Sequence, residues 1–176
     1  MRTIFTLGCL LLAATACKNT PENKPATTAS DSTQPHYAYT IEKPDNWDKG
    51  NPKNIELSLN ALKAFEENRI ADCVGFFGDS VRWQSDYVDQ KFSKDSLKSF
   101  LTMGRASMAS MKVQMEDFES VISKDKKDEY VTLWYKQYIT DKNGKMDSLG
   151  VINDLKLVNG KIVGLDEAIR HYPAKK

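Results

Sequence analysis

The chemistry of this chain rests on a few polar side chains in a stretch that is otherwise apolar and aromatic. Residues 130 to 171 read as three strands joined by turns at Asp141-Lys142-Asn143-Gly144 and Asn159-Gly160. An Asn-Gly pair suits a tight hairpin, because both central residues need positive φ. Pairing Thr140 with Lys145 and Val158 with Lys161 sorts the side chains onto two faces. One face carries Tyr130, Trp134, Tyr138, Leu149, Val151, Leu155 and Leu157, interrupted by Thr132, Lys136, Asn153, Asp166 and Arg170. On this register Asn153 lies opposite Asp166. Polar groups converging in an aromatic-lined cleft are the usual mark of a small-molecule site. With Trp83 from an earlier strand, the pocket candidates are Trp83, Tyr130, Trp134, Lys136, Tyr138, Asn153, Asp166 and Arg170. The simpler alternative is that these groups lie near sheet ends and form exposed ion pairs, Lys136 or Arg170 with Asp166, which contribute little.

Other chemistries lack their residues. His36 and His171 are the two histidines, so neither a Ser-His-Asp nor a Cys-His arrangement is compelling. No His or Cys cluster has zinc spacing, and Gly75 and Gly78 lack the strand-turn-helix context of a phosphate loop. No metal or cofactor is therefore expected. The chain has 25 Lys and Arg against 24 Asp and Glu, with no basic stripe, which argues against nucleic acid.

The elements that must position the sheet precede it. Ile55, Leu59, Leu62 and Phe65 recur at helical spacing from Pro52 onward. A bend at Asn68 leads to a second short helix carrying Ile70, Cys73, Val74 and Phe77. Val81-Arg82-Trp83 reads as a strand with Tyr87 as its aromatic partner. Ser93 is an N-cap, and the helix it opens places Leu97, Leu101, Gly104, Met108 and Met111 on one stripe. Four strands follow, near 113–122, 130–140, 146–158 and 161–171. Helices followed by a run of strands predict an α+β fold with the helices on one face of an antiparallel sheet. The more aromatic face is assigned to the helices. The other, with Val131, Leu133 and Ile139, would be half exposed and could mark a homodimer surface.

The N-terminal region reads differently. Residues 1–16 have a basic start at Arg2, an apolar run from Ile4 to Leu12 and small residues before Cys17. That run is too short to cross a bilayer and has the layout of a signal peptide. Ala14-Thr15-Ala16-Cys17 resembles the lipobox of bacterial lipoproteins, which implies lipidation of Cys17 and anchorage to a membrane. The expected location is the bacterial cell envelope, facing the periplasm or on the cell surface. Residues 17–50 are rich in Pro, Thr, Ser, Asn and Lys and read as a flexible tether, in which Tyr37, Tyr39, Ile41 and Trp47 could form a partly ordered arm. The folded domain is residues 51–176. With Cys9 removed in the signal, Cys73 has no intrachain partner once Cys17 is lipidated, so the fold must rest on its core, with Cys73 as a buried, inert thiol.

This layout resembles the NTF2-like superfamily, especially SnoaL-like domains. The resemblance is carried by Asn60 to Phe77, Val81-Arg82-Trp83, Ser93 to Leu101, Val131-Thr132-Leu133-Trp134-Tyr135 and the Asn159-Gly160-Lys161-Ile162 turn. It implies a curved sheet wrapped as a cone around helices, frequent dimers and no single activity. Two functions are open. One is a membrane-tethered, non-catalytic module that binds a small apolar ligand or a protein partner. The other is an enzyme of the SnoaL or ketosteroid-isomerase kind, with Asp166 as base and Tyr138 or Tyr130 as hydrogen-bond donor. Asn153 stands where related sequences often have His or Asp, which weakens the second.

Overall fold

The computed structural model describes residues 37–42 and 46–172. The signal peptide, Cys17 and most of the tether lie outside the described residues. The chain divides into two units, Met1–Ile41 and Glu42–Lys176. In the first, the described residues Tyr37 to Ile41 form no helix or strand.

In the second unit the elements are β1 (Trp47–Lys49), α1 (Pro52–Glu66), α2 (Ile70–Gly75), β2 (Phe77–Ser85), β3 (Asp89–Ser93), α3 (Lys94–Ala106), β4 (Met108–Ser123), β5 (Glu129–Asp141), β6 (Met146–Val158) and β7 (Lys161–His171). Seven strands form one sheet in the order β1-β4-β5-β6-β7-β2-β3. All neighbours are antiparallel except β2 and β7. The fold is α+β: a curved, unclosed mixed sheet with three helices packed on it, the NTF2-like cone.

Local chemistry explains the boundaries. Asn51 caps α1 by accepting from the Lys53 backbone N–H, and Pro52 occupies the first helical turn, where no partner for its missing N–H is needed. Asn68 turns the chain at φ 60 before α2. Ser93 caps α3 through the Ser96 N–H. That helix ends at Ala106, so Met108 and Met111 belong to β4 instead of the helical stripe. Trp47 lies in β1, whose three residues pair with the end of β4. Tyr87 sits in the β2–β3 turn and is 76% exposed, so it is not a packing partner of Trp83.

The strand register corrects the expected faces. Thr140 pairs with Met146, not Lys145. The turn holds one more residue because the Asp141 carboxylate accepts from the backbone N–H groups of both Asn143 and Lys145. A one-residue slip moves every side chain of a strand to the opposite face. Val131, Leu133 and Tyr135 therefore point into the core, at 0%, 1% and 2% exposure. Val131 and Leu133, with Ile139 packed against the same core, cannot form the expected dimer surface. A second shift lies in the last hairpin. Val158 does pair with Lys161, but a bulge then moves the rest of β7 by one residue. Asn153 is opposite Glu167, and Asp166 is opposite Asp154.

The core lies between the helices and the inner face of β5, β6 and β7. Leu97, Leu133, Leu157, Ile162, Val81 and Val131 are fully buried there. Cys73 is among the buried residues, and burial pushes its thiol up to about 12. It is a core side chain with no nucleophilic character at neutral pH.

Candidate functional site

The helices do not fill the cone. A cavity of about 280 Å³ remains between α1, α3 and the inner sheet face. Its walls are mostly apolar, with Leu62 and Phe65 from α1, Trp83 from β2, Phe100 from α3, and Val151 and Ile169 from the sheet. The Trp83 and Phe100 rings meet edge to face with centroids 5.4 Å apart, and Phe92 backs Phe100 at 4.9 Å. Aromatic packing of this kind fixes ring positions and gives the cavity a rigid wall.

Against that wall the polar groups stand out. Glu167, Tyr135, Asn153, Gln137 and Ser58 line the same cavity. They arrive by strand alternation: Leu133, Asn153 and Glu167 form one rung across β5, β6 and β7, and Tyr135 is two residues further along β5. Asn153 Nδ2 donates to the Tyr135 hydroxyl oxygen at 3.0 Å. Asn153 Oδ1 and Ser58 Oγ are buried without a partner. Among the described residues Glu167 has no hydrogen-bonding or ion-pairing side chain against it. Burial alone drives its carboxyl up to about 7. The Tyr135 phenol is held far above the ordinary tyrosine range, first by burial and then by the nearby negative charge of Glu167, with the Asn153 hydrogen bond acting in the opposite direction.

This arrangement suits proton transfer. A carboxyl near half-ionisation at neutral pH can take up and return a proton with little loss in either direction. A phenol kept protonated in the same dry space can donate to a developing oxyanion. Among the described residues no group of three His, Cys, Asp or Glu is placed to hold a metal ion.

The sequence candidates divide between the two faces of the sheet. Trp83 and Asn153 line the cavity. Tyr130, Trp134, Lys136, Tyr138, Asp166 and Arg170 lie on the outer face, as does Thr132. Lys136 pairs there with Glu116 at 2.6 Å. The Tyr138 hydroxyl donates to Gln114 at 3.1 Å. Arg170 stacks on Tyr172 at 4.8 Å, and Tyr130 packs edge to face with Trp47 at 5.7 Å. Thr132 donates to Asp154 at 2.8 Å. Asp166 is exposed and therefore not a desolvated base. Lys136 and Arg170 are thus satisfied by outer-face partners other than Asp166.

Sequence reasoning missed Glu167 and Tyr135. The signal was present: Glu167 interrupts the alternating apolar series Val163, Leu165 and Ile169. A charge in such a series marks either a bulge or a buried functional group.

No protein-family model matches the chain, and no curated protein matches it in sequence. Solved structures do match in fold. An LEH-like epoxide hydrolase of M. tuberculosis superposes with TM-score 0.55 at 10% identity, covering 68% of this chain and 84% of that one. A SnoaL-like protein of Shewanella putrefaciens gives TM-score 0.54 at 13% identity, covering 68% and 80%. An NTF2-like protein of Burkholderia pseudomallei gives 0.52 at 14% identity, covering 65% and 88%. At these identities the likeness concerns backbone architecture alone. Together with the cone and its cavity, it shows that this chain has the NTF2-like fold.

Proposed function

We propose that the cone binds a small, largely apolar carbonyl compound and that Glu167 moves a proton on it. The observation that carries this reading is a partnerless carboxyl on the wall of an apolar cavity, beside a phenol already oriented by an amide. Glu167 is half-buried, and a largely desolvated carboxyl with no side-chain partner costs stability, where an aliphatic side chain would serve packing better. Groups of this kind cluster at functional sites. The aromatic walls favour a flat apolar body, and the Tyr135 hydroxyl favours an oxygen acceptor at its end. The acid–base reading thus stands on Glu167 and Tyr135 in place of Asp166 and Tyr138. That one structure of this fold is named as an epoxide hydrolase supports the cone as a place for catalysis.

The test uses 2-tetralone, a bicyclic ketone with acidic C–H bonds. Its hydrogen–deuterium exchange in D₂O is followed by proton NMR. The full domain should accelerate exchange above buffer, and Glu167→Gln should remove about 100-fold or more of that acceleration. Binding of 2-tetralone without accelerated exchange would leave a ligand-binding module with no chemistry.

We also propose that Cys17 is lipidated and holds the protein to a membrane of the bacterial cell envelope. The basic start, the apolar run and the Ala14-Thr15-Ala16-Cys17 exit support this. Incorporation of a radioactive fatty acid by the wild type, lost in Cys17→Ala, is the expected result. Label that persists in Cys17→Ala contradicts it.

A further inference from the structure

Gly104 interrupts the apolar stripe of α3. Phe100 and Leu101 line the cavity, and Gly104 follows them by one helical turn on the same face. It lines the cavity too, yet it is exposed, whereas Leu101 is buried. Cavity and solvent therefore meet at this residue. Nothing local asks for glycine there. Among the described residues the glycines with positive φ are Gly144 and Gly160, so Gly104 has a backbone that any residue adopts. A Cβ built on it meets nothing within 4 Å. Glycine inside a helix is unfavourable relative to alanine. What the missing side chain leaves is an opening in the α3 wall.

The opening lies away from Glu167. Glu167 stands on the rung with Asn153 and Leu133. Met108, directly after α3, pairs with Asp141 at the far end of β5. Gln137 and Ile139 line the cavity between that end and the Glu167 rung. A ligand with its carbonyl at Glu167 thus has an apolar path along β5 toward the end of α3.

We propose that Gly104 is the mouth of the cavity and a specificity-determining residue, admitting ketones with an unbranched apolar chain that leaves the cone over the α3 backbone. The inference rests on the pocket reading above and extends it to the length of the ligand.

The probes are acetophenone and hexanophenone, which share a head and differ by a run of methylenes, with affinities measured by calorimetry on the full chain. The wild type should bind hexanophenone about tenfold or more tightly than acetophenone. In Gly104→Leu the acetophenone affinity should stay within about threefold of the wild type, and the advantage of hexanophenone should shrink to about twofold or less, because the new side chain occupies the path. Gly104→Met, an unbranched helix former, gives the same reading if Gly104→Leu does not fold. Equal affinities in the wild type, or a chain-length advantage that survives the filled position, overturn the proposal and leave the pocket reading standing. Equal loss of both ketones in the variants also overturns it, since Gly104 would then only shape the cavity. Binding of neither ketone by the wild type overturns both readings.

Discussion

Asn153 and Glu167 face each other as strand partners across β6 and β7, both turned toward the cavity. This pairing exists because a bulge displaces most of β7 by one residue. Without it Asp166 would occupy the inner position and Glu167 the outer one. The chemistry of the site therefore depends on one irregularity in a hairpin.

Glu167 should make stability depend on pH in a defined direction. Its carboxyl is raised from 4.5 to about 7 in the folded protein. A raised carboxyl favours the folded state fully below about 4.5, and that stabilisation is lost as pH climbs through about 7. The gap corresponds to roughly 3 kcal/mol. Glu167→Gln should therefore gain stability relative to the wild type between pH 5 and 8, by up to about that amount. Urea unfolding of both proteins at pH 4.5 and pH 8 measures the difference. A constant difference at the two values contradicts a desolvated Glu167.

Neighbouring residues on β5 should differ in what their truncation costs. Leu133 is fully buried, and Leu133→Ala should cost about 2–5 kcal/mol. Trp134 pairs with Ile152 on the outer face, and Trp134→Ala should cost about 1 kcal/mol or less despite removing the larger side chain. Denaturant midpoints of the two variants read this directly. A larger loss for Trp134→Ala would reverse the face assignment.

Ser58 supplies a third test. Its Oγ is buried on the α1 wall of the cavity without a partner. Ser58→Ala removes an unsatisfied hydroxyl and should be neutral or stabilising by about 1 kcal/mol in the ligand-free protein. Thermal unfolding checks it. A loss of more than about 1 kcal/mol would mean that the hydroxyl is already satisfied.

Much of the architecture was legible in the residues. Both turns are present: Asn159 and Gly160 have the expected positive φ, 50 and 68, whereas in the first turn Gly144 has it, at φ 81, and Asn143 does not. The Ser93 cap, the helices and the four-strand meander follow from local chemistry that each segment carries by itself. The site was less legible, because it depends on register. The Asp141 side chain adds one residue to a turn, and the bulge after Ile162 adds one to β7. Each is a small local event that exchanges whole faces. Trp134 and Tyr138 looked like pocket residues because they are aromatic, whereas the outer face of this sheet is itself rich in aromatics, with Trp47 packed on Tyr130. The short strands β1 and β3 carried too few residues to show an alternation.

The central claim is that Glu167 is a desolvated carboxyl poised near neutrality inside the cone. Its side-chain carboxyl carbon can be followed by NMR in ¹³C-glutamate-labelled protein, with Glu167→Gln assigning the resonance. The account predicts a titration midpoint at about 7. A midpoint near the ordinary 4.5 would contradict it and remove the acid–base reading of the site.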